Sequence, residues 1–240
     1  VTIRSLLIQK KLSEIKSDFI NNINHELKTP LATIIIANKS LQNKKIRQND
    51  AKATQTTAII ERQTKRLQHL IEQVLELTQH GQESINLNLE QLNMNVFLQT
   101  IVNDFPTSSA NNEVNIQTDF AAKNDMVSID KFHFTTAIFN LLDNAVKYAP
   151  ADSNITVHVH ANEQWAFCEI ADEGEGIAVE EQQEVFKKFY RIGNEQVRKK
   201  KGTGLGLYLT KKIIDQHKGS VYLKEPKEKG CTFIIKLPLV

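Results

Sequence analysis

The feature that most constrains this chain is a change in the spacing of its apolar residues at Gly81. Before Gly81 they recur every three or four residues, as on one face of an amphipathic helix. After Gly81 they form short runs separated by turn residues, as in strands. A chain of 240 residues is long enough to build two cores. The sequence therefore predicts a helical domain over residues 1–81 and an α/β domain over residues 82–240.

The helical part contains two periodic series, the first from Ile8 to about Leu41 and the second from Ile59 to Leu77. The polar stretch QNKKIRQND separates them, so we expect two long helices in an antiparallel hairpin. One hairpin cannot cover the apolar stripes of both helices, and a second copy would complete a dimeric four-helix bundle. On spacing alone, a structural coiled coil without any chemistry remains an alternative.

The second part alternates between strand-like and helix-like segments. Helix-like stretches lie near residues 94–104, 131–147 and 205–217. The predicted strands are INLNL, VNIQTDF, NITVHVH, WAFCEIAD, SVYL and CTFIIKL. Trp165 and Phe167 alternate within one of these strands, and we assign both to the core. This order of elements predicts an α/β fold.

Composition excludes several classes of function. Thirty basic and 28 acidic residues give a net charge of +2, which provides no electrostatic drive toward nucleic acid. Cys168 and Cys231 lie in apolar runs, which favours buried thiols, and His158 and His160 lack the further ligands of a zinc site. No run reaches the roughly 18 apolar residues of a membrane helix. We expect a cytoplasmic chain, attached to the membrane only through a missing N-terminal segment.

His25 is the first residue that indicates chemistry. The apolar residues two positions before and after it lie about 160° away around the helix, so His25 points outward. Thr29 shares its face, Glu26 is its neighbour, and Pro30 should bend the helix just beyond it. If a carboxylate holds the proton on one imidazole nitrogen, the other nitrogen can attack phosphorus. Most single exposed histidines have no chemical role, so the evidence for such a role at His25 must come from these neighbours.

The string FINNINHELKTPL closely resembles the phosphoacceptor box of the histidine kinases. The resemblance implies that His25 accepts a phosphoryl group and that Glu26 assists as a base or proton holder. It also implies that the helical hairpin dimerises and docks the receiver domain of a response regulator. Thr29 matches the residue that helps to position water when such a regulator is dephosphorylated.

No GxxxxGK[ST] string occurs, so any nucleotide site in this chain must work without the usual phosphate-binding loop. The segment FNLLDNAVKYA puts Asn140, Asn144 and Lys147 on one helical face. Amide oxygens suit Mg²⁺, and an ammonium group neutralises phosphate, so Mg-ATP fits this set. In ADEGEGI, Asp172 offers an acceptor for the exocyclic amine of adenine.

The string KGTGLGL carries Gly202, Gly204 and Gly206 at the start of a helix, where backbone amides and the helix dipole favour anions. Each glycine motif alone is weak evidence, since such turns occur in many loops without a ligand. The preceding stretch YRIGNEQVRKKK is polar and lacks apolar periodicity, which is typical of a surface loop.

Taken in order, NLLDNAVKY, DEGEGI, VFKKFYR and GTGLGL resemble the four boxes of the histidine kinase ATP-binding domain. The resemblance implies an α/β sandwich of the type shared with Hsp90 and gyrase, with Mg²⁺ at Asn140. The nucleotide-binding residues that it implies are Asn140, Asn144, Lys147, Tyr148, Asp172, Gly174, Gly176, Ile177, Lys201, Gly202, Thr203, Gly204, Leu205 and Gly206. The catalytic residues that it implies are His25, Glu26, Thr29, Asn144 and Arg191.

The sequence thus predicts the core of a bacterial sensor histidine kinase that phosphorylates itself on His25 and passes the group to an aspartate of a response regulator. A swing about residues 79–86 would bring the ATP-binding domain to the histidine. One alternative is a hydrolytic ATPase related to gyrase, Hsp90 and MutL, in which a Glu activates water where this chain has Asn140. Another is a module biased toward regulator phosphatase activity through Thr29.

Overall fold

The structure is a computed structural model that describes residues 3–78, 86–105, 108–109, 112–122, 125–192, 203–224 and 229–240. The chain divides into two units. The first contains the helices of residues 3–78, and the second comprises Ser84–Val197 and Leu205–Val240. The predicted domain boundary after residue 81 and most of the predicted hinge at 79–86 lie outside the described residues.

The first unit is a helical hairpin. Helix α1 spans Ile3–Gln42 and continues through Pro30, and helix α3 spans Asp50–Thr78. The two long helices are confirmed, and the bend after Pro30 stays a prediction. The polar connection is not a simple loop, because it contains the short helix α2, Lys44–Arg47. Asn43 is the N-cap of α2, because its side chain accepts a hydrogen bond from the backbone amide of Lys45.

The hairpin buries one face of α1 against α3. Ile23 and Ala37 of α1 and Leu70 of α3 are only 6–8% exposed. Further large apolar residues of the two helices remain 48–65% exposed in the single chain: Leu6, Ile20, Leu31, Ile35, Ile36 and Ile71. One hairpin therefore leaves part of its apolar surface uncovered, as the sequence predicts. Among the described residues, no helix has both the length and the apolar character needed to cross a membrane.

The second unit combines sheets and helices. Its described α-helices are α4 Met94–Asp104, α5 Lys131–Tyr148 and α6 Gly206–Gln216, and short 3-10 helices span Val179–Glu181 and Glu184–Phe186. Its described strands are β1 Glu90–Asn93, β2 Ser108–Ser109, β3 Asn112–Glu113, β4 Asn115–Phe120, β5 Met126–Ile129, β6 Asn154–Ala161, β7 Trp165–Asp172, β8 Ser220–Leu223 and β9 Cys231–Pro238. Five of them form one sheet in the order β4-β6-β7-β9-β8, in which β4 and β6 run parallel and the other neighbours antiparallel.

The core lies between one face of this sheet and the three helices. Strand β7 shows the pattern: Ala166, Cys168 and Ile170 are buried, and the residues between them are half-buried on the opposite face. The helices contribute fully buried side chains such as Met94, Leu98, Phe134, Ile138, Leu141 and Ile213. The predicted α/β sandwich is confirmed.

The assignment of Trp165 and Phe167 to the core is wrong. Both lie on the sheet face away from the helices, where Lys236 Nζ sits 3.9 Å from the centre of the Trp165 ring and Phe167 stacks on His160 at 4.8 Å. Alternation tells which residues of a strand share a face, but not which face the helices cover.

One predicted strand is also wrong. The described residues 86–89 of INLNL are not in a strand, and β1 begins at Glu90 instead. It pairs antiparallel with β5, Met126–Ile129, which the sequence did not predict. Each of these strands has only four residues, too few for a periodic signal, so their pairing depends on the surrounding core.

Candidate functional site

His25 lies on α1 with an exposed side chain, as its position in the helical repeat predicts. Thr29 is exposed one turn later, and its hydroxyl donates a hydrogen bond to the carbonyl oxygen of His25 at 3.3 Å. The spacing of four residues puts both side chains on the same side of the helix. A nucleophile and a hydroxyl are therefore available to a partner approaching this face.

Glu26 points in another direction. It is 7% exposed, and its Oε2 lies 3.2 Å from Nη2 of Arg66 on α3. The carboxylate next to the candidate phosphoacceptor is thus turned into the hairpin and ion-paired. Sequence reasoning missed Arg66, because residues 40 positions apart become neighbours only through the register of the two helices.

In the second unit, α5 and α6 approach closely at Asn140. Asn140 is 6% exposed and its Nδ2 donates to the carbonyl oxygen of Gly206 at 3.3 Å. A Cβ atom at Gly206 would lie 3.3 Å from Asn140 Oδ1, tighter than most such contacts, so glycine permits this approach. One turn later Thr210 Oγ1 donates to Ala137 O at 3.5 Å. The N-terminus of α6, which favours anions, is thereby held beside the amide of Asn140.

Asp172 ends β7 and begins the glycine-rich turn. It is 9% exposed, and its Oδ1 accepts a hydrogen bond from the amide of Gly174 at 2.8 Å. A Cβ atom at Gly174 would lie 2.8 Å from that oxygen and 2.9 Å from the carbonyl oxygen of Tyr148. Gly176 adopts a φ of 81°, which favours glycine. The glycines therefore let the turn pack against the end of α5 and fix the carboxylate of Asp172.

The remaining predicted residues of α5 lie near the end of that helix. Asn144, Lys147 and Tyr148 are half-buried, and Lys147 Nζ sits 4.9 Å from the centre of the Tyr148 ring. The ring holds the ammonium group near the end of α5 through a cation–π contact. Ile177 and Arg191 are half-buried as well.

The third glycine motif is described in part. Gly204 adopts a φ of 71°, Leu205 is 1% exposed, and Thr203 is half-buried ahead of α6. Leu205 thus anchors the start of the helix in the core. Lys201 and Gly202, which the sequence also assigns to the nucleotide, lie outside the described residues.

A cleft of about 180 Å³ opens at the ends of β7 and β9. Asp172 and Ile177 line it together with Cys231 and Thr232, which sequence reasoning did not select. Cys231 pairs with Asp172 across the two strands. Burial, followed by the negative charge of Asp172, raises the pKa of the Cys231 thiol, so the thiol stays protonated beside the carboxylate at neutral pH. The contact between Cys231 and Asp172 is set by the register of β9 against β7, and no sequence motif predicts it.

The donors in the second unit suit magnesium held together with a nucleotide. Among the described residues, no group of three or more His, Cys, Asp or Glu side chains could hold a metal ion. The amide of Asn140 lies beside the N-terminus of α6, where its oxygen would join phosphate oxygens and water as a ligand of the ion.

Two family models match the chain. Residues 15–83 match the "His Kinase A (phospho-acceptor) domain", and residues 129–240 match the "Histidine kinase-, DNA gyrase B-, and HSP90-like ATPase". The two domains occur in that order on one chain, and the first contains His25. The chain belongs to the sensor histidine kinases.

Curated relatives agree with this assignment. Sensor protein RprX of Bacteroides fragilis is 36% identical to this kinase core over 241 residues, which cover 100% of the core and 46% of RprX. Sensor protein SrrB of Staphylococcus aureus is 32% identical over 238 residues, covering 99% of the core and 40% of SrrB. The kinase core therefore spans less than half the length of these relatives.

Solved structures support the fold. Full-length ShkA in complex with AMPPNP superposes with a TM-score of 0.62 at 20% identity, covering 96% of this chain and 46% of ShkA. The histidine kinase ThkA in complex with the response regulator protein TrrA gives a TM-score of 0.59 at 20% identity, covering 97% of this chain and 64% of ThkA. At this level of identity the likeness concerns the fold alone.

Proposed function

We propose that this kinase core transfers the γ-phosphoryl group of ATP to His25 and then to an aspartate of a response regulator receiver domain. The observation that carries the proposal is the exposed His25 side chain on α1, within the part of the chain that matches the phosphoacceptor domain. The second unit supports it, because it contains a buried amide, a buried carboxylate and glycine turns, which are groups of the kinds that bind nucleotides.

The nucleotide would be recognised by a hydrogen-bond acceptor at its adenine end and by positively charged groups and hydrogen-bond donors at its phosphate end. Asp172, held by the amide of Gly174, accepts a hydrogen bond from the exocyclic amine of adenine. Asn140, Lys147 and the N-terminus of α6 receive the phosphates, and Mg²⁺ would neutralise charge on the phosphate oxygens. Arg191 would stabilise the charge that develops on the transferred group.

In the proposed transfer, one imidazole nitrogen of His25 attacks the γ-phosphorus in line with the leaving oxygen. The nitrogen–phosphorus bond forms as the bond to ADP breaks, and Glu26, after its carboxylate turns from Arg66 toward the ring, accepts the proton of the other ring nitrogen. A regulator aspartate then takes the phosphoryl group from His25. Movement of the second unit about residues 79–86 would bring the nucleotide to the histidine.

A second activity toward the regulator is proposed on the basis of Thr29. Its exposed hydroxyl lies on the same side of α1 as His25, where it can orient water toward a phosphorylated aspartate. Incubation of the core with phosphorylated regulator and ADP, with Thr29→Ala as the matched variant, tests this activity. Release of inorganic phosphate by the wild type but not by the variant is the expected result.

We also propose that the core is a homodimer, because α1 and α3 leave large apolar residues exposed in the single chain. A second hairpin would bury Ile20, Leu31 and Ile35 in a four-helix bundle. Attachment of a longer protein to the cell membrane through a segment before residue 1 stays a prediction.

Labelling with γ-labelled ATP and Mg²⁺ tests the kinase proposal. Wild-type protein should acquire a label that survives alkali and is lost in acid, as a phosphoramidate does, and His25→Ala protein should acquire none. ATP binding without any label would contradict autophosphorylation. Label that persists in the His25→Ala variant would overturn the assignment of His25. Steady release of free phosphate would favour the alternative in which the protein is a hydrolytic ATPase.

A further inference from the structure

The sheet face away from the helices carries two histidines on one strand. His158 and His160 lie two positions apart on β6, so their side chains leave the sheet on the same side. The residues that alternate with them, Ile155, Val157 and Val159, are fully buried in the core on the other side. The centres of the two imidazole rings are 5.2 Å apart, and the ring planes are inclined by 27°. Two imidazoles are therefore neighbours on the side of the sheet that the helices do not cover.

Neighbouring side chains orient both rings. Nδ1 of His158 lies 3.0 Å from Oδ2 of Asp119 on β4, and when it donates its proton there, Nε2 of the same ring keeps a free lone pair. Metal-binding histidines usually donate their second ring N–H to such a carboxylate. His160 stacks at 4.8 Å on Phe167, its cross-strand neighbour on β7. Its Nδ1 is buried, which leaves Nε2 as the nitrogen that an ion can reach.

The separation of the rings matches that of two imidazoles on one metal ion. Zinc binds imidazole nitrogen at about 2.1 Å, which puts each ring centre roughly 3.2 Å from the ion. At a tetrahedral angle, two such ring centres lie about 5.2 Å apart, which equals the distance between the rings of His158 and His160. In the described part of the chain, no group of three or more His, Cys, Asp or Glu side chains forms a metal site, so water would fill the remaining positions.

The charges around the two histidines favour a cation. Asp119 carries one negative charge beside His158. Glu169 lies directly across from His158 on β7, and its carboxylate oxygens are 3.0 and 3.2 Å from Nζ of Lys224. Two carboxylates and one ammonium group leave one negative charge beside the two rings, which attracts a positive ion.

We propose that His158 and His160 together bind one divalent transition-metal ion, with Zn²⁺ as the ion that fits the ring separation. Imidazole nitrogen suits zinc and its neighbours in the first transition row, whereas Mg²⁺ prefers oxygen ligands. The site therefore differs in ligand chemistry from the amide of Asn140, and it lies on the opposite face of the sheet from α5. Its occupation requires neither ATP nor phosphorylation of His25.

Calorimetric titration of the whole chain with Zn²⁺, without nucleotide, tests the site. His158→Gln and His160→Gln should each weaken zinc binding at least about tenfold, because each removes one of two protein ligands. Asp119→Asn should weaken it about tenfold, since loss of a group that orients a metal-bound histidine typically costs roughly 10-fold to 100-fold in affinity. His25→Gln removes an exposed histidine of the helical hairpin and should bind zinc at this site as the wild type does.

Nuclear magnetic resonance of the histidine rings provides a test that needs no folded variant. In the wild type, Zn²⁺ should shift the ring signals of His158 and His160 together, with the same dependence on zinc concentration. A shift of only one of these rings would show a single-histidine contact and overturn the shared site. Unchanged zinc affinity in His158→Gln or His160→Gln protein that is folded by circular dichroism would overturn it as well, as would an equal loss of affinity in His25→Gln.

Discussion

Asp172 combines a structural and a proposed recognition role in one side chain. One carboxylate oxygen accepts the Gly174 amide and shapes the turn, and the residue also lines the cleft at the end of β7. In Asp172→Asn the amide oxygen can still accept from Gly174, but the new NH₂ group faces the adenine amine as donor against donor. We expect ATP affinity to fall at least about tenfold, or about 1.4 kcal/mol, measured by calorimetry.

Asp143→Asn serves as the matched control for this prediction, because Asp143 is exposed on the same helix as Asn140. It should bind ATP as the wild type does. Equal affinities for Asp172→Asn and the wild type would show that adenine is recognised elsewhere.

His217, at the end of α6, is a buried histidine with both ring nitrogens bonded. Its Nε2 accepts from the amide of Asp130 at 2.9 Å, and its Nδ1 lies 2.8 Å from the carbonyl oxygen of Ile213, to which it donates in the neutral ring. The residue is 4% exposed, and burial lowers its pKa below the usual 6.5. A second proton would break the bond from Asp130, so the folded state favours the neutral ring.

This bonding predicts a loss of stability in mild acid. Since the folded pKa of His217 lies below 6.5, its contribution is complete above that pH and declines as the pH falls toward the folded pKa. Urea unfolding between pH 7.5 and 5 should show a smaller slope with pH for His217→Gln, which can still accept from Asp130 but does not titrate. Identical slopes for both proteins would contradict the prediction.

At the scale of elements, the end of α6 has two adjacent positions that both favour glycine, although only the second carries one. Lys218 adopts a φ of 58°, a left-handed conformation that suits glycine. Gly219 follows, and a Cβ atom there would lie 2.4 Å from the carbonyl oxygen of Lys236. The amides of both residues bond back to the last turn of α6 and complete a helix-ending motif.

Substitutions at these two positions should have opposite signs. Lys218→Gly should stabilise the second unit by about 0.5–1 kcal/mol, because it removes left-handed strain at some cost in chain entropy. Gly219→Ala should destabilise it by at least about 2 kcal/mol, because the backbone of β9 leaves no space for the methyl group. Thermal unfolding followed by circular dichroism measures both. Destabilisation by Lys218→Gly would contradict the strain argument.

At the scale of the whole molecule, the exposed apolar residues of α1 predict where a second copy binds. Ile20, Leu31 and Ile35 are each about half exposed and lie on neighbouring sides of the helix. Leu31→Glu would introduce a charge into the proposed bundle core, and the core should sediment as a monomer at micromolar concentration in analytical ultracentrifugation.

Ile36→Glu provides the control for this prediction. Ile36 is 65% exposed, but it lies within about 20° of His25 around α1 and therefore faces away from the proposed bundle core. This variant should remain a dimer. A dimer that survives Leu31→Glu, or one that is lost only in Ile36→Glu, would mean that another face pairs.

The sequence by itself determined the two-part organisation, the long helices, most strands of the main sheet and the exposure of His25. These follow from local periodicity, because the spacing of apolar residues dictates which side of a helix or strand must be buried. The motifs around Asn140 and Asp172 likewise indicated a nucleotide site, because the residue types and their spacing are local features that can be read from the sequence.

Only the tertiary structure decided the contacts between residues far apart on the chain. It turned Glu26 toward Arg66, brought Cys231 beside Asp172, and put Trp165 on the sheet face away from the helices. None of these has a local signal, because helix register, strand register and the choice of covered face are set by how whole elements pack against one another.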